Sequence, residues 1–178
     1  MTWEESLKGF EAYLLLEKHL SKNSIEAYVS DVNKLKDFNE KEGRDVSPAA
    51  ITQNDIEDFL LTLFKARFNA RSQARTLSGI KAFYSYQLLE QQIDENPCLH
   101  IEGPKLNKRL PETLSIEEID SLISAIDLSK NEGTRNKAII ECLYSCGLRV
   151  SELTNLKISN IDFSEGYIKV EEKEIRSA

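Results

Sequence analysis

The sequence predicts a mainly α-helical protein in two parts. A four-helix bundle covers residues 1–100, a linker covers 101–111, and a smaller part of helices with a short β-hairpin covers 112–178. Three observations predict this. Apolar residues recur at helical spacing in four successive segments up to about residue 92. Three of the chain's four prolines then fall at 97, 104 and 111, where Pro denies a helix its N–H. Finally, strand-like alternation begins only after residue 158.

The elements follow in order. Thr2-x-x-Glu5 is a capping-box signature, followed by Trp3, Leu7, Phe10 and Leu14 on one face, so a first helix should run to about His19. Ser21-Lys-Asn-Ser24 breaks it, and a second helix carries Ile25, Tyr28, Val32, Leu35 and Phe38 before Gly43. Thr52-Gln-Asn-Asp55 opens a third, with Ile56, Phe59, Leu60 and Leu63 inward. A fourth runs from about Ser72 through Leu77, Ile80, Phe83, Tyr84 and Leu88 to about Gln92. Four helices on short links read as a bundle. Beyond the linker, Ser115-x-x-Glu118 is a second capping box, ahead of Ile119, Leu122, Ile123 and Ile126. Another helix follows Gly133 with Ala138, Ile139, Cys142 and Leu143, and a short one ends near Lys157. Ser164-Glu-Gly166 is a turn between two strands, a ribbon marginal by itself in water.

Bulk composition narrows the class. With 40% apolar and 30% charged residues the chain resembles an ordinary water-soluble protein, and no apolar run nears the roughly 20 residues that span a bilayer. Met-Thr-Trp-Glu-Glu lacks a signal peptide's basic start, so a cytoplasmic location and no membrane partner are expected. Three cysteines do not suggest a disulfide framework, and Cys142 and Cys146 are expected to be buried core residues. The net charge of −7 opposes a nucleic-acid partner, but its distribution does not. Residues 1–63 hold 7 basic and 13 acidic side chains, residues 64–110 hold 8 and 4, and residues 111–178 hold 8 and 13. The middle is therefore locally positive, and binding responds to the local patch.

Tyr144-Ser-Cys-Gly-Leu-Arg-Val-Ser-Glu-Leu-Thr-Asn-Leu156 carries the most chemistry. Gly147 can take the left-handed conformation that closes one helix, and Ser151 is expected to cap the next, with Glu152 in its first turn. Arg149 then stands at a backbone break where an anion is welcome.

That run resembles the first-arginine motif of the tyrosine recombinases, the phage-integrase and Xer type of DNA strand-exchange enzyme. Other pieces resemble the family in order: Leu20-Ser-Lys-Asn-Ser24 with Ala27-Tyr28 and Asp31, Ala74-Arg75 through Phe83-Tyr84, Asn96-Pro97, Pro104-Lys105, Leu110-Pro111, and Leu114 to Ile119. The resemblance implies a SAM-like core-binding bundle that clamps duplex DNA, then the start of a catalytic domain. It implies cleavage and rejoining of DNA through a phosphotyrosine, with no metal or cofactor, by subunits that act as a synaptic tetramer.

Residue by residue, the resemblance makes Arg149 the arginine on the scissile phosphate, suited by its planar, always-charged fork. Glu152 would orient it. Lys173 falls where the family's leaving-group lysine stands, but Glu172 and Glu174 flank it in place of glycines and would hold its proton, so it reads equally as a charged tail. DNA contacts are expected from Lys22, Asn23 and Ser24 at a helix start, from Arg71, Ser72, Arg75 and Lys81, and from Lys105 in the linker. The family's His-x-x-Arg motif and tyrosine nucleophile have no match, so the chain reads as an N-terminal part or a shortened product that binds DNA without cutting it. The alternative is an inactive accessory or competitor at recombination sites.

Overall fold

The computed structural model describes residues 1–44, 46–106 and 112–170, which fall into two compact units on either side of residues 107–111. The first unit begins with α1 (Trp3–Leu16), whose capping box is present in full: Thr2 Oγ1 accepts from the Glu5 N–H, and the Thr2 N–H donates back to Glu5. The helix stops three residues short of the expected His19. The Leu20 N–H donates to the Leu14 carbonyl, and His19 takes a left-handed φ of 49° to turn the chain. Ser21 caps α2 (Lys22–Lys41), and Gly43 closes it at φ 71°.

A 3₁₀ turn (Pro48–Ala50), invisible in the hydrophobic pattern, leads into α3 (Gln53–Lys65), capped by Thr52 with Asp55 completing the box. Asn69 then caps α4 (Ala70–Leu89). Trp3 Nε1 donates to the Val46 carbonyl, and the buried Tyr84 hydroxyl donates to that of Pro48, so α1 and α4 both hold this connection.

The core of this unit is aromatic at its centre. Phe10 and Phe83 meet edge to face at 5.3 Å, and Phe83 meets Tyr84 at 5.2 Å, the favoured geometry for ring quadrupoles. Val32, Leu35, Ile56, Phe59, Leu77 and Ile80 fill the space around them. One expected core position is displaced: Leu88 is 41% exposed, and Tyr86 and Gln87 are the buried residues of that turn. Tyr86 packs on Phe10 and Tyr13, and its hydroxyl lies where a side chain on Gly9 would stand. The segment after α4 also belongs to this core, since Cys98 and Ile101 are buried in it. Burial pushes the Cys98 thiol up to about 12, against the pull of Lys81, so it stays a protonated, packed side chain.

The second unit holds α5 (Ile116–Ser124), α6 (Gly133–Ser145), α7 (Val150–Thr154), a 3₁₀ turn (Ile158–Asn160), β1 (Ile161–Asp162) and β2 (Tyr167–Ile168). The Ser115–Glu118 capping box is formed as the sequence predicts. The strands pair antiparallel, Ile161 with Ile168 and Asp162 with Tyr167, about a turn where Asp162 Oδ1 accepts from the backbone N–H groups of Ser164 and Glu165. Two expectations fail here. Among the described residues of this unit only Gly133 is buried, so Cys142 is half-buried and Cys146 exposed, because no closed core surrounds them. The helix after Arg149 ends at Thr154 rather than near Lys157. Among the described residues no helix is long and apolar enough to cross a membrane.

Candidate nucleic-acid interface and anion site

α4 turns Leu77, Ile80, Phe83 and Tyr84 inward and leaves Arg71, Arg75 and Ser78 exposed, spaced four and three residues apart on one side of the helix. Its N-terminus is prepared by Asn69, whose Oδ1 accepts from the Arg71 N–H at 2.9 Å, while Ser72 is half-buried one residue on. The cations differ in their engagements. Among the described residues Arg71 has no ion-pair partner, whereas Arg75 is held by Asp31 through Nη1 at 2.5 Å and Nη2 at 3.1 Å. Lys81 Nζ donates to the Ile101 carbonyl at 2.6 Å, which ties the segment after α4 back to the helix.

Lys22, Asn23 and Ser24 are the first three residues of α2. Ser24 N–H donates to the Ser21 cap, and Lys22, 88% exposed at its side chain, lies 3.8 Å from Glu26. Lys105 is exposed beside a groove of about 600 Å³ that Lys65 and Arg67 also line, over Phe64 and Phe68. Phe64 and Phe68 are 69% and 43% exposed, so this groove joins cations to bare aromatic rings. Neither phenylalanine stands out in the sequence, because an apolar residue near a helix end carries no mark of exposure.

In the second unit, α6 ends at Ser145 and Gly147 adopts φ 62°, the left-handed closure its sequence position demands. The next helix starts differently from expectation. Arg149, not Ser151, is the N-cap, with extended φ and ψ of −72° and 151°. Glu152 is therefore the third helical residue, and its carboxylate takes both the Arg149 backbone N–H and Nη1, each at 2.7 Å. Serine at 151 looked like the cap because residue type alone favours it; the reach of Glu152 to a residue three positions back decides otherwise. Those two hydrogen bonds, backbone first, hold the Glu152 carboxyl below the usual carboxylate range. Arg149 itself remains 80% exposed at its side chain. An anion could thus approach a guanidinium whose base is already fixed by a local carboxylate. Lys173 lies outside the described residues.

In the sequence Asp31 stands out only as part of a motif. It has a fully buried side chain, and it binds Lys34 at 2.8 Å and Thr76 at 3.1 Å as well as Arg75. A carboxylate between Tyr28 and Val32, on the apolar side of a predicted helix, was the signal, since buried carboxylates need cationic partners.

Residues 7–91 match the phage integrase N-terminal SAM-like domain, and residues 112–177 match the phage integrase family. The chain belongs to the phage integrase family. Among curated members, the tyrosine recombinase XerD of Pseudomonas aeruginosa is 39% identical over 158 residues, 88% of this chain and 52% of that protein. The tyrosine recombinase XerC of Pelotomaculum thermopropionicum is 35% identical over 174 residues, 96% of this chain and 57% of that protein. The chain spans about half the length of the curated relatives it matches. Among solved phage integrases, a lambda integrase dimer bound to a COC' core site shares the fold, with a TM-score of 0.75 at 20% identity, covering 98% of this chain and 47% of that one. A lambda integrase tetramer bound to a Holliday junction gives the same TM-score over 48% of its chain.

Proposed function

We propose that these 178 residues carry the DNA-gripping unit and the phosphate-binding arginine of a site-specific recombinase that cuts and rejoins DNA strands. The observation that carries this reading is an exposed cationic stripe, Arg71 and Arg75 on α4, in a chain whose net charge is −7. An acidic protein has no general reason to gather its cations on one helix face; a polyanion gives it one.

Duplex DNA is the partner, gripped through its phosphates by Arg71, Ser72 and Arg75, by the α2 start at Lys22, Asn23 and Ser24, and by Lys105. Lys81 contributes charge from its tethered position. Arg149 donates its fork to the non-bridging oxygens of the scissile phosphate, where negative charge grows as the phosphorus is attacked. Glu152 keeps that side chain at the break between α6 and α7. The attacking group is a tyrosine outside the six found here, none of which stands in a motif that matches the family's nucleophile. Further subunits complete a tetrameric synapse, a reading supported by the lambda integrase tetramer bound to a Holliday junction. Lys173 would protonate the departing oxygen if its flanking carboxylates are screened.

Titration of the chain into a fluorescently labelled duplex tests this. Binding should appear at low salt and weaken steeply as salt rises. A denaturing gel of the same mixture should show no protein–DNA adduct. No binding at low salt would overturn the DNA reading, and a covalent adduct would overturn the assignment of the nucleophile elsewhere.

A further inference from the structure

The contact between α2 and α4 is built around one carboxylate. Gly79 lets the helices approach so closely that a Cβ there would stand 3.1 Å from the Cβ of Asp31. Asp31 is thereby brought against the middle turns of α4, at Arg75, Thr76 and Gly79, with no exposed side-chain surface. Four donor groups converge on it: Arg75 Nη1 and Nη2, Lys34 Nζ and Thr76 Oγ1. One buried negative charge thus faces two positive ones, and the cluster keeps a net positive charge.

The geometry at Arg75 sets the use of that charge. A guanidinium has two forks, one formed by its two Nη groups and one formed by Nε with the outer hydrogen of Nη2. Asp31 takes the first fork, and Nη1 also reaches the Ala27 carbonyl at 3.5 Å. The second fork has no acceptor among the described residues, and the Arg75 side chain is 45% exposed. A free arginine loses considerable rotamer freedom when it docks on phosphate; one already gripped by a buried carboxylate loses little.

We propose that Asp31 is a positioning residue for DNA binding: it fixes Arg75 so that the open Nε–Nη2 fork is presented to a backbone phosphate of the duplex. This rests on the DNA reading above and goes beyond it by assigning a role to a residue that cannot touch DNA. An anion drawn to Arg75 meets the open fork and the nearby Lys34 ammonium, while the Asp31 carboxylate is screened from it by the donors that cover it. Because the grip is on phosphate, Arg75 should contribute affinity without base preference.

The test is a double-mutant cycle on the 178-residue chain, with duplex affinity measured by anisotropy across a salt series and thermal unfolding measured for each variant. Arg75→Ala should weaken binding about tenfold and reduce the slope against salt by about one. Asp31→Asn should weaken binding several-fold when Arg75 is present and have no further effect in the Arg75→Ala background. Equal losses in both backgrounds, or unchanged affinity in a folded Asp31→Asn protein, would overturn the proposal. If Asp31→Asn does not fold, the wild-type Arg75 Nε–H resonance decides. It should be as rigid as the backbone before DNA is added and should shift on saturation with duplex; a mobile or unmoved resonance overturns the idea. A wild-type chain that ignores duplex at low salt overturns the DNA reading as well, whereas wild-type binding that is indifferent to Arg75 overturns this inference alone.

Discussion

At the scale of single residues, carboxylates govern both the cations and the caps. Asp55 shows how competing effects resolve. Burial raises its pKa, but hydrogen bonds from the Thr52 hydroxyl and N–H, with the Arg44 charge beside it, outweigh burial and hold the group below its ordinary value of 3.8. A carboxyl depressed in the folded state favours folding at any pH above its unfolded value, and that contribution disappears as pH falls through the folded value. Asp55→Asn should therefore lower the unfolding midpoint by a few degrees at pH 7 and flatten the loss of stability below pH ~4. Thermal melts of both proteins from pH 7 to pH 2.5 check this, and parallel acid limbs would refute it. The Thr52–Asp55 spacing was legible in the sequence because a capping box is a local pattern. The Asp31–Arg75 pair was not, because its partners are 44 positions apart and only the close approach at Gly79 brings them together.

At the scale of helices, the periodic faces predicted the elements well, and the ends less well. Closures at Gly43 and Gly147 could be read because glycine advertises a left-handed residue. His19, Arg67 and Gln91 adopt φ of 49°, 57° and 54° without that signal, and so α1 ended earlier than its pattern suggested. These residues store strain where the bundle fold needs a helix to stop. Gln91 is exposed, and the Gln92 N–H donates to the Gln87 carbonyl to close α4 around it. Gln91→Gly should stabilise the first unit by about 0.5–1 kcal/mol, the relief of strain exceeding the extra entropy of glycine. Gly43→Ala should act oppositely, since φ is 71° there and, chain neighbours aside, no atom of the described residues lies within 4 Å of the added Cβ. Urea titrations of the two variants read the backbone contribution with almost no packing change, and shifts of the same sign would contradict it.

Over the whole molecule, the hydrophobic residues are divided unevenly. Among the described residues, every side chain of the buried apolar core lies at or before Ile101. Past residue 112, Ile119, Ile123, Leu143 and Leu153 reach only partial burial, and Phe163, Ile158 and Val150 are 80%, 81% and 67% exposed. The helical spacing of the second unit was readable, but spacing says where an apolar face points and not whether anything covers it. Native-state hydrogen exchange should therefore be slow in the amides of α2 and α4 and markedly faster in α5 and α6. Comparable protection across both would contradict this account. The same division has a consequence during synthesis. A ribosome releases the chain from its N-terminus, and domains close as units once their residues have left the exit tunnel. The bundle that presents Arg71 and Arg75 can finish folding before the codon for Arg149 has been translated, so the DNA grip proposed above would form in the nascent protein ahead of the phosphate-binding arginine.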